Sequence, residues 1–180
     1  VLFSDIIRRV FPRKALVLAH RKELINQAKD KIQRVTGFRV DVEMGDLRAD
    51  IHAGLFDRPQ VIVSSIQTQT AGGDGAGRMG KFDPYDYGVL IIDEAHRATA
   101  KSYRRVIDYY RQNPNLKVLG VTATPDRADE ESLGQVFQQV AYDYEILDAI
   151  KDGWLVPIEQ QMVEIEGLDF SGIRTTAGDL

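Results

Sequence analysis

Gly88-Val-Leu-Ile-Ile-Asp-Glu-Ala-His96 is an apolar run that stops abruptly on two carboxylates. Four consecutive branched aliphatics, Val89 to Ile92, predict a strand buried on both faces, because a half-exposed strand would alternate with polar residues. Such a strand holds its end rigidly. Asp93 and Glu94 then stand where the backbone leaves the sheet, which is where open α/β sheets bind ligands. An acidic pair there suits a metal and a water. Asp93 can orient hydrated Mg²⁺ beside phosphates, and Glu94 can orient or deprotonate an attacking water. The same stretch also reads as an inert strand closed by two solvated acids.

The neighbouring sequence supplies companions for this strand. Ala15-Leu-Val-Leu-Ala19 reads as a short buried strand, followed by a helix from His20 to about Thr36 with Gly37 as its C-cap. Phe38, Val40 and Val42 alternate with polar partners and predict a more exposed strand, whereas Val61 to Val63 predicts a buried one. A short helix is expected within Leu47 to Phe56. Beyond the acids, Thr99 is expected to cap a helix running to about Gln112, and Asn113-Pro114 stops it. Lys117 to Val121 is a further buried strand, with helical patterns after it at Glu130 to Phe137 and Tyr144 to Lys151. Val1 to Val10 carries a helical apolar spacing that Pro12 ends. Strands alternating with helices predict a mostly parallel sheet with helices on both faces.

Composition bounds the function. A chain of 180 residues, 43% hydrophobic and 28% charged, has the balance of a globular domain with a sizeable core. It holds no cysteine, so any metal must be held by oxygen or by one of three histidines, and the chain is read as cytoplasmic. No apolar run approaches the roughly 20 residues of a membrane span. The net charge of -4 gives no general attraction to polyanions, so a nucleic-acid contact would need a local patch or backbone donors. Ala71 to Gly80 contains five glycines and is expected to be a flexible surface loop. Gly75-Ala-Gly-Arg-Met-Gly-Lys81 fits the first seven positions of a phosphate-binding loop. Phe82 stands where a Mg²⁺-ligating Ser or Thr is needed, and no helix is expected after it, so the motif fails its own context.

Four predicted strand ends carry a set of short motifs: Asp93-Glu-Ala-His96, Thr122-Ala-Thr124, Ala19-His-Arg-Lys-Glu-Leu24 and Ser64-Ser-Ile-Gln-Thr68. In this order they resemble the first RecA-like motor domain of superfamily-two DEAH-type helicases and translocases. The likeness is nearest to restriction-endonuclease motor subunits and related DNA-repair helicases, with Thr122-Ala-Thr-Pro-Asp-Arg127 matching their TATP-x-R segment. The resemblance implies a RecA-like fold of the P-loop NTPase type, ATP and Mg²⁺ as cofactors, and nucleic acid as partner, DNA rather than RNA. It makes Asp93 the Mg²⁺ partner and Glu94 the general base. His96, Thr122 and Thr124 would couple hydrolysis to movement. His20, Arg21, Lys22, Ser64, Gln67 and Thr68 would contact the nucleic acid through its phosphates, without reading sequence.

The resemblance also sets an expectation about organisation. Residues 1–156 would be a partial N-terminal RecA-like domain whose phosphate-binding loop lies upstream of Val1. Residues 157–180 would begin the connection to a second RecA-like domain in cis. Phosphoryl transfer depends on positioning and charge stabilisation by those parts, so this chain alone is expected to hydrolyse ATP negligibly. The rival expectation is a non-catalytic module that keeps the fold to bind nucleic acid or a protein partner. The intact Asp93-Glu94 pair argues against it.

Overall fold

The computed structural model describes residues 2–52, 54, 57–72, 77–123 and 133–159. The chain divides into two compact units, residues 1–140 and 141–180.

The first unit is built on five parallel strands: β1 (Lys14–Ala19), β2 (Val40–Glu43), β3 (Val61–Ser65), β4 (Tyr87–Asp93) and β5 (Lys117–Val121), in the order β2-β3-β1-β4-β5. Parallel pairing explains the unbroken apolar runs. Successive side chains point to opposite faces, and both faces are covered. Leu16, Leu18, Ile62, Leu90 and Ile92 pack on one face, with Tyr103, Val106 and Ile107 above them. Their odd-numbered neighbours Val17, Val61, Val63, Val89 and Ile91 pack on the other, with Ile7, Ile25 and Ile32. Helices α1 (Leu2–Val10) and α2 (Lys22–Thr36) supply that second layer. Helix α4 (Lys101–Tyr110) and the short α3 (Ile66–Thr70) lie on the first. Gly37 ends α2 at φ 73, in the left-handed region that glycine adopts without a Cβ penalty.

The connections leaving β1 and β4 run to opposite faces, α2 on one and α4 on the other. These two strands are neighbours, so a crevice opens between their carboxyl ends, the usual ligand position in such sheets.

Several local expectations change. Edge strand β2 keeps Val40 and Val42 buried, because α2 covers its apolar side. Strand β5 is the half-exposed edge, not a buried strand. The described residues of Leu47 to Phe56 form turns and not a helix. Within the glycine-rich segment, Gly77–Lys81 is a 3₁₀ turn with Met79 buried, so that part is packed rather than free. Ala100, and not Thr99, is the N-cap of α4. Residues 133–137 make a single turn where a helix was expected, and the rest of Glu130 to Phe137 lies outside the described residues.

In the second unit, α5 (Ile146–Lys151) begins two residues later than the pattern suggested. Gly153, at φ 77, turns the chain back so that the Trp154 and Leu155 amides donate to the Ala149 carbonyl. Among the described residues no helix is long and apolar enough to cross a membrane.

Candidate ATP site and nucleic-acid face

The acids of β4 emerge from a fully buried strand and turn at once. Glu94 adopts φ 56 and ψ 52, the only non-glycine residue with positive φ among those described. A side chain in that region costs about 1 kcal/mol, which the sheet behind it must offset. The turn continues as one 3₁₀ turn, Ala95–Arg97, before α4. Gly120 of β5 makes room for it. A Cβ at that position would lie 2.7 Å from the Ala95 Cβ and 2.4 Å from the Phe137 ring.

This backbone presents two carboxylates with few protein partners. Among the described residues Asp93 Oδ1 accepts only the neighbouring Glu94 amide, at 3.1 Å. Burial holds the Asp93 carboxyl above the usual carboxylate range; the Glu94 amide opposes the shift and the Glu94 charge adds to it. The Glu94 side chain is 43% exposed, with Oε2 3.3 Å from His96 Nδ1. The same nitrogen lies 3.1 Å from Thr122 Oγ1, just beyond the end of β5. The Thr122 hydroxyl can donate to that nitrogen or accept from it, according to the tautomer of the ring. Thr122 thus joins the acid turn through His96. Thr124 and Arg127 lie outside the described residues.

The nucleic-acid set divides. His20, Arg21 and Lys22 occupy the junction of β1 with α2. His20 Nδ1 lies 3.4 Å from the exposed Gln67 amide, and His20 Nε2 lies 3.5 Å from Arg97. The Gln67 atom that faces Nδ1 is the side-chain nitrogen Nε2, and the longer Arg97 contact reaches the opposite ring nitrogen. Ser64 does not reach this face. It is fully buried, donating to the Glu43 carbonyl at 2.7 Å and accepting from the Gln69 amide at 2.9 Å. Ser64 lies inside β3, where both faces of the sheet are covered and all five residues are buried. Thr68 is also buried, its hydroxyl holding Ser65 at 2.8 Å and the Gly45 amide at 3.3 Å. Both shape the junction from beneath.

Sequence reasoning missed Arg97, Ser102 and Tyr103, which with His20 and Gln67 line a cleft of about 320 Å³ at the β1–β4 crevice. It also missed Glu43. That carboxylate, 0% exposed, holds Arg78 and Lys81 in ion pairs and accepts the Ala49 amide at 2.8 Å. The lysine of the phosphate-loop lookalike is therefore occupied by a buried acid.

The sequence profile of the family described as "Type III restriction enzyme, res subunit" matches residues 1–127. The chain belongs to this family of superfamily-two helicase domains. It is similar to the Saccharomyces cerevisiae protein named ATP-dependent helicase IRC3, 33% identical over 99% of this chain and 26% of that protein. It is also similar to the Type I restriction enzyme EcoAI endonuclease subunit of Escherichia coli, 29% identical over 92% of this chain and 20% of that subunit. The chain thus spans about a quarter of the length of these relatives. Among solved structures, the Pyrococcus furiosus Hef helicase domain superposes with a TM-score of 0.59 and 25% identity over 74% of this chain and 29% of that one. Saccharomyces cerevisiae Dbp5, solved with RNA and ADP BeF3, superposes at 0.57 over 74% of this chain and 35% of that one, and at 16% identity shares the fold alone. The parallel sheet is RecA-like.

Proposed function

We propose that this chain is part of an ATP-driven motor that moves along DNA. The observation that carries the reading is the acid turn of β4, underpaired and tied through His96 to Thr122. In this reading Glu94 aligns and deprotonates a water, and Asp93 holds Mg²⁺. The donors fit such an ion. Among the described residues no cluster of three or more histidines and acids could enclose a metal, and Mg²⁺ ordinarily keeps waters and phosphate oxygens beside one or two carboxylates. When bound, the ion neutralises charge on the phosphates. His96 and Thr122, with Thr124 proposed beside them, pass changes at the Glu94 carboxylate to the end of β5. His20, Arg21, Lys22 and Gln67 contact the strand backbone. Residues 1–156 then form part of the motor domain, and 157–180 lead towards a second RecA-like domain. The likeness to helicases and restriction subunits supports this reading, and the restriction likeness favours DNA over RNA.

The test is ATP turnover of the complete protein with single-stranded and duplex DNA and RNA as activators. DNA should stimulate it most, and Glu94→Gln should abolish turnover while ATP still binds. Turnover unchanged by Glu94→Gln would remove that residue from its role. Residues 1–180 alone should show no nucleic-acid-stimulated turnover.

A further inference from the structure

The left-handed turn at Glu94 is fastened from the side of β5 in two ways. The polar tie runs from His96 to Thr122. The other is apolar and comes from the turn at residues 133–137, to which the roles above assign nothing. Ala95 follows Glu94, is buried, and packs over Gly120, the β5 residue paired with Ile92 just before the acids. Gly120 has no side chain to fill the space above it, and the Phe137 ring fills it instead. A Cβ at Gly120 would meet Phe137 Cζ at 2.4 Å, Phe137 Cε1 at 2.7 Å and the Ala95 Cβ at 2.7 Å. Ring and methyl therefore converge on one point, and Phe137 packs against the core cluster that contains Ala95. The ring is itself held. The Val136 and Phe137 amides both donate to the Leu133 carbonyl, at 2.9 and 2.8 Å, and the Val136 side chain is buried. Arg104 of α4 donates to the Gln135 side-chain oxygen, and Arg111, the C-cap of α4, donates to the Val136 carbonyl at 2.5 Å. The contacts close a circuit: the acid turn leads into α4, α4 grips the 133–137 turn, and that turn returns Phe137 to the acid turn.

We propose that Phe137 is a positioning residue for Glu94: its ring, wedged over Gly120, braces Ala95 and keeps the acid turn in its left-handed form. A non-glycine residue persists at φ 56 only where its surroundings over-determine it. A flat, rigid ring in a close-packed interior does this, because such packing transmits displacement instead of absorbing it. Phe137 carries no group that takes a proton or holds a phosphate, so it acts on the site through backbone geometry alone. Without the ring, Ala95 gains room to relax over Gly120 and Glu94 can pass to the right-handed region that an L side chain prefers. The consequence for turnover rests on the motor reading, in which Glu94 aligns the attacking water; the consequence for the backbone does not.

Two readouts test this. In the 180-residue chain, the NMR coupling between the Glu94 amide and α protons follows φ and is blind to the loss of a ring current. Phe137→Ala should move that coupling towards its right-handed value, whereas Val136→Ala, which removes core volume from the same turn, should leave it in place. In the complete protein, Phe137→Ala should lower kcat for ATP about tenfold with KM held within about twofold, the pattern of a misplaced group and not of lost binding. Val136→Ala should lower the urea midpoint without changing kcat per folded molecule. Phe137→Leu keeps most of the volume but not the flat ring; it should move each reading the same way by less, and it serves where Phe137→Ala does not fold. Gly120→Ala forces a methyl into the space of the ring, so adding Phe137→Ala to it should raise turnover, where two merely destabilising changes would lower it further. If kcat holds in Phe137→Ala while Glu94→Gln abolishes turnover, the positioning role is overturned and the motor reading stands. A double variant slower than Gly120→Ala alone also overturns it, leaving Phe137 a core contact only. If the Glu94 coupling moves but Glu94→Gln leaves turnover unchanged, the wedge is upheld and the motor reading fails.

Discussion

Two strands of the same sheet end on acids and treat them in opposite ways. Edge strand β2 ends on Glu43, which is wholly buried and closed by Arg78, Lys81 and the Ala49 amide, with Arg48 at 3.8 Å. Strand β4 ends on Asp93 and Glu94, which are partly exposed and, among the described residues, meet a single backbone amide and one histidine. A buried carboxylate is tolerated only when paired, so Glu43 is a clamp that ties the glycine-rich segment to the sheet. The acids of β4 are left for something else to satisfy, at the cost of a left-handed residue. Satisfaction of the charge, and not the strand-then-acid pattern, separates a structural acid from a functional one.

The largest expected effect would break this comparison outright. Glu94→Gln should lower motor turnover by about 10²- to 10⁴-fold, the usual range for loss of a general base. Its urea unfolding curve should move by less than ~0.5 kcal/mol. Glu43→Ala should do the reverse: it strands two part-buried cations and should destabilise the fold by about 3 kcal/mol. Any turnover lost should then track the unfolded fraction. If urea unfolding finds Glu43→Ala no more damaging than Glu94→Gln, the clamp assignment is wrong. A smaller effect tests the support beneath the acid turn. Gly120→Ala drives a methyl into Ala95 and Phe137 and should cost about 2 kcal/mol by overpacking. Turnover should fall further than the folded fraction, because Ala95 follows Glu94 directly.

The candidate strand end was legible because everything it needs is local. Four aliphatics, two acids and a histidine three residues past Asp93 fix burial, exit and chemistry within nine residues. The family motifs then supplied Thr122, which the structure joins to His96. Glu43 gave no such signal, since its partners Arg78 and Lys81 lie 35 and 38 residues away and meet it only through the fold. The glycines between them read as a free loop for the same reason. Ser64 was read with its neighbours as part of a strand-end motif, but it lies inside β3, where both faces are covered and all five residues are buried.

The smallest effect sharpens the comparison by sign rather than size. Burial makes the Asp93 carboxyl harder to ionise in the folded protein than in the unfolded chain, so its folded value lies above the ordinary 3.8. At neutral pH Asp93 is charged in both states, and that charge costs stability. As pH falls through the folded value towards 3.8 the cost disappears, because the group is protonated in both states. Asp93→Asn should therefore unfold at slightly higher urea than the parent chain at pH 7, with the difference closing below about pH 4. Glu43→Gln at pH 7 should shift the midpoint the other way, because Arg78 and Lys81 lose the charge they enclose. Urea titrations at the two pH values decide it. If Asp93→Asn destabilises at pH 7, Asp93 is as fully satisfied by the fold as Glu43, and the proposed metal partner would have to be sought elsewhere.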